Sequence, residues 1–333
     1  MTFTSQQVLL KNRPVGLPDG DTFSLVSADV PDPGPGELVV RVELISLDPA
    51  MRGWLNDVRS YVPPVAIGEV MRAGAVGTVV ASQHPDFPVG ASVRGTFGVT
   101  EHALSDGTGV ELVDTDTAPI ATWLGALGMP GMTAYFGLTD VGRVKAGDTV
   151  LISAAAGAVG SVAGQIAKAL GATVIGVAGG AEKCAWLTEI GFDAAIDYKS
   201  ENVSRRLREL APDGVDVFFD NVGGVVLDAA LANLSRGARI VLSGAVSTYN
   251  DTELPPGPKR YMSLLVFRAS MTGFVIFDYD DRFPEAQERI LGWMREGRLV
   301  ARETVVPGGV AAFGETLLGL YRGINTGKLV LAV

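Results

Sequence analysis

The chain has 333 residues, of which only two are histidine and one is cysteine. Structural zinc sites draw mainly on these two residue types, so a cysteine-rich zinc site is excluded, and a single thiol excludes a disulfide within the chain. The net charge of −10 opposes binding to nucleic acid, which needs a basic surface. No apolar run approaches the roughly 20 residues of a membrane span. Composition therefore predicts a soluble cytoplasmic protein without a nucleic-acid partner or a membrane partner, in which a catalytic metal site would have to be built largely from carboxylates.

Residues 1–124 are predicted to form a β-rich domain. The rigid turn PDPGPG precedes an alternating strand pattern at 37–43, and further strand signals follow at 74–81 and 91–97. Short strands separated by Gly and Pro are typical of a small barrel or sandwich. Residues 301–333 again show short strands around one helix, and we predict that this segment returns to the first domain.

Residues 125–300 show a different sequence pattern, in which apolar strands alternate with helical segments. A later apolar run at 273–277 is predicted to be a sixth strand. This alternation predicts an α/β domain with a doubly wound parallel sheet, the Rossmann architecture. The first five predicted strands are 149–153, 173–177, 194–197, 215–219 and 238–242.

A glycine-containing turn joins the first of these strands to a helix. It reads A-x-G-x-x-G, with Ala155 in place of the first glycine of a dinucleotide fingerprint, followed by Gly157, Ala158, Val159 and Gly160. The absence of a side chain at Gly157 lets the backbone approach a pyrophosphate, and Gly160 allows close packing of helix on strand. The helix N-terminus then faces the anion. The pattern predicts a dinucleotide site, although the same glycines could tighten a turn in a domain that binds nothing.

The end of the second strand favours NADP over NAD. NAD sites usually place an acid there to accept a hydrogen bond from the ribose 2′-hydroxyl, and residues 177–180 contain none. Lys183 follows and would match a 2′-phosphate, unless it is an ordinary solvated lysine. Asn221 and Ser243 follow the fourth and fifth strands, where ligands of such sheets bind, but either alone could be a turn residue.

Several motifs in one register carry a more specific resemblance. They are SLDP (46–49) with MRG (51–53), SY (60–61) with PP (63–64), GALGMPGMTAYFGL (125–138), AAAGAVG (154–160), FDNVGG (219–224) and SGAVSTYN (243–250). Together they resemble the prostaglandin reductase / leukotriene B4 12-hydroxydehydrogenase family, a zinc-independent branch of the medium-chain dehydrogenase/reductase superfamily. Alkenal/one oxidoreductases and bacterial curcumin reductases belong to the same branch, and the resemblance covers nearly the whole chain.

The resemblance implies a GroES-like catalytic domain, a Rossmann domain, a homodimer, and NADPH-dependent reduction of a carbon–carbon double bond conjugated to a carbonyl. One departure concerns the substrate pocket, because Ala50 stands where the family often has a tyrosine. The cofactor contacts that the family implies, beyond residues 157–160, are Lys183, Tyr198, Asn221, Ser243, Tyr249, Phe274, Val275, Ile276 and Asn325.

The family reaction suggests which groups act on the substrate. Hydride transfer to the β-carbon of an enone generates an enolate, so negative charge develops on the carbonyl oxygen. Gly68-Glu69-Val70 replaces the Gly-His-Glu ligand motif of zinc-dependent relatives, so hydrogen-bond donors must stabilise this oxygen. We predict that Tyr249, the 2′-hydroxyl of the nicotinamide ribose, or both donate to this oxygen, and that Tyr61 lines the pocket. Tyr249 could instead be an aromatic that only covers the cofactor.

Two other functions stay open at this point. One is an NADPH quinone reductase, also zinc-free. The other, of a different class, is a non-catalytic NADPH-binding protein with a regulatory or structural role.

Overall fold

The computed structural model describes residues 3–333, which divide into two compact units. Among the described residues, the β-rich unit comprises 3–124 and Glu303–Val333, and the Rossmann unit comprises Gly125–Arg302. Each unit has its own hydrophobic core.

The elements of both units are numbered along the chain. The strands are β1 Phe3–Leu10, β2 Phe23–Val30, β3 Leu38–Ser46, β4 Ala75–Ser82, β5 Ser92–Gly95, β6 His102–Ser105, β7 Glu111–Leu112, β8 Thr149–Ile152, β9 Thr173–Ala178, β10 Ala194–Asp197, β11 Val215–Asp220, β12 Leu234–Leu242, β13 Ser270–Gly273, β14 Glu303–Val306 and β15 Lys328–Ala332. The helices are α1 Met51–Trp54, α2 Met129–Phe136, α3 Ala158–Ala169, α4 Ala181–Glu189, α5 Val203–Leu210, α6 Gly224–Leu231, α7 Ser263–Phe267, α8 Phe283–Arg295 and α9 Phe313–Arg322. None of the helices within residues 3–333 is long and apolar enough to cross a membrane.

The β-rich unit is built around the long strand β3. The order of its main sheet is β14-β15-β3-β4-β5-β7, with β6 also paired to β3, while β1 and β2 form a separate antiparallel pair. The C-terminal strand β15 pairs antiparallel with β3, so that Val330 lies opposite Ser46. Met51, Phe313 and Leu329 are buried in one core with the strands before residue 124. The two segments of this unit therefore share a single core.

The Rossmann unit contains one parallel sheet of order β10-β9-β8-β11-β12-β13. The chain starts at the central strand β8, proceeds outward to β10, and then fills the other side from β11 to β13. All carboxyl ends meet at one edge, with a crevice where the strand order reverses between β8 and β11. Together with the β-rich unit, this sheet confirms the predicted fold class.

The prediction of a sixth strand at residues 273–277 is wrong in its position. The strand is β13, which ends at Gly273, and the chain then leaves the sheet into a 3-10 segment, Ile276–Arg282. β-Branched and aromatic residues suggested an extended run. Tertiary packing prevails instead, because Phe274 packs edge-to-face on Tyr279, and Tyr279 stacks on Phe136 of α2. Consequently Phe274, Val275 and Ile276 follow the strand rather than form it.

Candidate active site

The turn after β8 offers a backbone surface without side chains at the start of α3. Gly157 precedes the helix, and its N–H donates to the carbonyl oxygen of Ala154 at 2.9 Å. A Cβ atom on Gly160 would lie 2.4 Å from that same oxygen, so only glycine fits there. The turn therefore presents helix N-terminal N–H groups to an anion, as a pyrophosphate site requires.

The neighbouring strand explains why alanine can replace the first glycine of the fingerprint. Ala155 is fully buried, and its N–H donates to the carbonyl oxygen of Val177 at 3.0 Å. Its methyl group faces Gly176 of β9, where an added Cβ would come within 2.9 Å of the Cβ of Ala155. Gly176 thus provides the space that a glycine at position 155 would otherwise leave.

Two lysines and a tyrosine surround the turn at the end of β9. A Cβ on Gly179 would lie 2.8 Å from the ring of Tyr198 and 3.0 Å from the Cε of Lys199. The pKa of Lys183 is lowered from its usual value by burial and by the positive charge of Lys199. An anionic group bound here would be stabilised by both ammonium groups. Sequence reasoning named Lys183 and Tyr198 but missed Lys199, although its place directly after Tyr198 was a usable signal.

The carboxylate of Asp197 shapes the same turn. One of its oxygens accepts hydrogen bonds from the N–H groups of Gly180, at 2.8 Å, and Lys199, at 3.0 Å. These bonds, with a further one from Ser200, lower the pKa of Asp197. The carboxylate therefore stays charged and fixes the backbone that carries Lys199.

A second residue that sequence reasoning missed links the ends of β8 and β11 at the crevice. Asp220 is completely buried at the end of β11, and its carboxylate accepts hydrogen bonds from the hydroxyl of Ser153 and the N–H groups of Val222 and Gly223, at 2.8 to 3.0 Å. Burial raises the pKa of Asp220, and the hydrogen bonds oppose this effect. An acid that ends an otherwise apolar strand was the signal available in the sequence.

Asn221 and Ser243 both lie next to Asp220. The side-chain amide of Asn221 donates to the carbonyl oxygen of Ser153 at 2.8 Å, so it is held toward the phosphate turn. The N–H of Ser243 donates to the carbonyl oxygen of Asp220 at 2.9 Å. The structure therefore brings both predicted residues to the edge of the sheet where the turn lies.

Tyr249 lies beyond β12 at the same edge. Its hydroxyl accepts a hydrogen bond from the N–H of Ala245 at 3.3 Å, and a Cβ on Gly244 would lie 3.0 Å from it. The ring thus folds back over the end of β12, next to Ser243. Phe274, Val275 and Ile276 leave the same edge after β13 and are all partly buried.

The two remaining predicted residues belong to the β-rich unit. Tyr61 lies in the loop between α1 and β4 and is 57% exposed. Asn325 is buried in the turn before β15, where its amide donates to the carbonyl oxygen of Gly327 at 2.7 Å. The roles of Tyr61 and Asn325 stay predictions. A cavity of about 260 Å³ in this unit is lined by Val65, Glu69, Val70, Arg72, Thr96, Phe97 and Gly98.

Metal ligands are scarce at these positions. Glu69, which stands in the place of the zinc-ligand motif, uses one carboxylate oxygen to accept the N–H of Ala66 at 3.1 Å. Within residues 3–333, no three His, Cys, Asp or Glu side chains are grouped so that they could hold a metal ion.

Two family models match the chain. One is described as the N-terminal domain of oxidoreductase and covers residues 6–113, and the other is described as zinc-binding dehydrogenase and covers 158–292. The chain is 44% identical to the NADPH-dependent curcumin reductase of Escherichia coli (strain K12), over 98% of this chain and 96% of that protein. It is 38% identical to prostaglandin reductase 1 of Bos taurus, over 97% of each. The chain belongs to the prostaglandin reductase family of zinc-independent medium-chain dehydrogenases/reductases.

A solved structure supports the same assignment to this family. CurA from Vibrio vulnificus in complex with NADPH superposes with a TM-score of 0.93 at 42% identity, over 98% of this chain and 99% of that one. The predicted family is therefore confirmed. The zinc in the description of the second family model does not fit this member, because two histidines and one cysteine in the whole chain do not supply the usual ligand set.

Proposed function

We propose that the chain is an NADPH-dependent reductase of carbon–carbon double bonds conjugated to an aldehyde or ketone. The observation that carries this proposal is that the glycine turn before α3 and the two lysines lie at the same edge of the Rossmann sheet. The bare backbone at Gly157 and the N-terminus of α3 would meet a pyrophosphate there, while Lys183 and Lys199 would meet a 2′-phosphate. The NADPH-dependent curcumin reductase supports it, since curcumin contains double bonds conjugated to carbonyls.

We propose that NADPH binds along this edge. Residues 157–160 would receive the pyrophosphate, and Tyr198 would lie beside the 2′-phosphate with the two lysines. The residues proposed for the remaining cofactor contacts are Asn221, Ser243, Tyr249, Phe274, Val275, Ile276 and Asn325.

When bound, NADPH supplies a hydride to the β-carbon of the substrate. The chain itself must then stabilise the negative charge that develops on the carbonyl oxygen until the α-carbon takes up a proton from solvent or a tyrosine. We assign this role to the hydroxyl of Tyr249. The hydrogen bond that it accepts from Ala245 polarises the O–H group and makes it a better donor. Tyr61 is proposed to line the pocket as an exposed aromatic of the β-rich unit.

The deciding experiment measures NADPH oxidation with 2-alkenals, aryl enones and quinones, with NADH as the control cofactor. We expect turnover of alkenals and enones and a preference for NADPH. Turnover of quinones alone would show a quinone reductase instead. NADPH binding without turnover of any of these compounds would indicate a non-catalytic role.

The assigned role of Tyr249 has its own test. Tyr249→Phe removes the hydroxyl and keeps the ring, and we expect kcat for an enone to fall about 10²-fold while NADPH binding stays unchanged. Unchanged turnover in this variant would remove Tyr249 from the role of donor.

We also propose that the protein is a cytoplasmic homodimer that pairs through β13. This strand is hydrogen-bonded to β12 alone in the described sheet, and three of its four residues are exposed. The adjacent helix α7 exposes Leu265 and Val266, at 70% and 58%. Light scattering should give twice the mass of the chain, and Leu265→Glu should yield monomers. Cell fractionation tests the compartment.

A further inference from the structure

The segment 47–56 of the β-rich unit is held by side chains from distant parts of the sequence. It connects β3 to the loop that carries Tyr61, and it contains α1. It also contains Ala50, where the family often has a tyrosine bordering the substrate pocket. The position of this short stretch of backbone therefore decides how much space Ala50 leaves.

Lys328 holds the beginning of the segment. Its side chain is 2% exposed, and its ammonium donates to the carbonyl oxygen of Leu47 at 2.8 Å and to the carboxylate of Asp48 at 2.7 Å. The other carboxylate oxygen of Asp48 accepts the hydroxyl of Ser46. One buried cation therefore bonds both the backbone and the side chain of the turn that precedes Ala50.

Tyr321 and Arg52 hold the positions on either side of Ala50. The hydroxyl of Tyr321 donates to the carbonyl oxygen of Pro49 at 3.4 Å. Arg52 is 3% exposed, and its guanidinium donates to the carbonyl oxygens of Gly16, at 2.8 Å, and Pro14, at 3.2 Å. The chain is thus held at Pro49, before Ala50, and at Arg52, two residues after it.

Stability alone does not account for the Lys328–Asp48 pair. The ammonium of Lys328 is almost fully buried, whereas the side chain of Asp48 is 30% exposed. Removing the ammonium from water costs free energy that its attraction to the carboxylate offsets only in part, and neutral replacements of similar size are often no less stable. A buried ionic group can instead select one conformation among several. Here the conformation selected is that of the turn at Leu47 and Asp48, because the ammonium bonds to both residues.

We propose that Lys328 is a positioning residue for the substrate pocket, which acts through Leu47 and Asp48 to fix the place of Ala50. This inference rests on the proposed enone reduction. Its consequence is that the selectivity between small and large enones depends on a residue that contacts no substrate.

The test compares Lys328→Met with the double variant Lys328→Met/Asp48→Asn, in which the carboxylate of Asp48 is not left without its cation. Substrates are pent-3-en-2-one and the larger 4-phenylbut-3-en-2-one. We expect both variants to reduce kcat/KM for the larger enone relative to the smaller by at least about fivefold, mainly through KM.

The double variant should regain a melting temperature within about 3 °C of the wild type without regaining this ratio. NADPH affinity, measured by fluorescence, should change less than about twofold.

Lys168→Met is the matched control, because Lys168 forms a comparable pair with Asp193 at 2.9 Å on the surface of the Rossmann unit. This variant should leave the substrate ratio unchanged. Recovery of the ratio in the double variant would overturn the proposal, because the pair would then act through stability alone. An equal loss for both substrates, or weaker NADPH binding with an unchanged ratio, would overturn it as well.

Hydrogen exchange separates this proposal from the proposed function. In the double variant, amides of residues 47–56 should exchange at least about tenfold faster than in the wild type, while those of β4 do not change. Unchanged exchange in 47–56 would refute the positioning role, whether or not the wild type reduces enones. Absence of enone turnover in the wild type would refute the proposed function alone.

Discussion

The buried carboxylate of Asp220 accepts a 2.8 Å hydrogen bond from the hydroxyl of Ser153, which lies 67 residues earlier in the chain. That hydroxyl in turn accepts the N–H of Asn221 at 2.8 Å. Two hydrogen bonds therefore link the end of β8 to the end of β11, at the crevice where we expect the cofactor to bind.

Ser153→Ala should therefore weaken both stability and NADPH binding. It leaves the N–H of Asn221 without this acceptor and removes a donor from Asp220, which should cost about 1–3 kcal/mol of unfolding free energy. Urea unfolding measures the first effect and fluorescence titration the second. A loss of stability with unchanged NADPH affinity would show that the hydrogen bonds of Ser153 do not shape the cofactor site.

The raised pKa of Asp220 predicts a pH dependence of stability. Between the ordinary pKa of 3.8 in the unfolded chain and the higher pKa in the folded one, the folded protein binds more protons. The contribution of this group to stability is therefore complete below the unfolded value and is lost as pH rises through the folded value. The difference in unfolding free energy between wild type and Asp220→Asn, measured from pH 3.5 upward, should follow this course. A difference that does not vary with pH would contradict it.

Gly160→Ala should abolish tight NADPH binding. The new methyl group would lie 2.4 Å from the carbonyl oxygen of Ala154, so either the turn or α3 must shift. We expect NADPH affinity to fall at least about tenfold and stability to fall by about 1–3 kcal/mol. Gly292→Ala in α8 is the matched control, because nothing lies within 4 Å of an added Cβ there. Normal NADPH affinity in Gly160→Ala would show that the turn does not bind the pyrophosphate.

Lys183 and Lys199 should both contribute to the preference for NADPH over NADH. Lys183→Ala is expected to reduce the ratio of kcat/KM for the two cofactors at least about tenfold, because it removes a cation from the 2′-phosphate position. Lys199→Ala should reduce the ratio as well and raise the pKa of Lys183 toward its usual value. Steady-state kinetics with each cofactor measures the ratios. Loss of activity with both cofactors in equal proportion would indicate a role unrelated to the 2′-phosphate.

Ala154→Gly should stabilise the Rossmann unit. Ala154 adopts a φ of +48°, a left-handed conformation that costs a residue with a Cβ about 1–2 kcal/mol. Glycine removes this strain but has more freedom in the unfolded chain, so we expect a net gain of about 0.5–1 kcal/mol in urea unfolding. A destabilised variant would show that the methyl group makes compensating contacts.

Sequence periodicity predicted the Rossmann strands well because each is an apolar run between turns, and β10 begins and ends where the pattern places it. It failed at residues 273–277, where the packing of Phe274 and Tyr279 overrides the local preference for a strand. The fingerprint identified Gly157 and Gly160 because its spacing is local.

The parts of the site that escaped sequence reasoning depend on contacts between distant strands. Asp220 becomes significant only when β11 lies beside β8, and Lys199 only when β10 brings it over Gly179. Lys328 likewise gains its place from the pairing of β15 with β3. A linear pattern does not contain these neighbours.

Because Ala155 packs against Gly176, a methyl group at one of these two positions occupies the space next to the other. A glycine at 155 would remove one of the three close contacts of an alanine at 176, the others being with Leu187 and Phe192, so Ala155→Gly should rescue part of the damage done by Gly176→Ala. Searches that require glycine at the first fingerprint position will overlook dinucleotide domains of this kind. A more informative sequence pattern would consider two positions together, the one in the turn after the first strand and the one in the middle of the second strand.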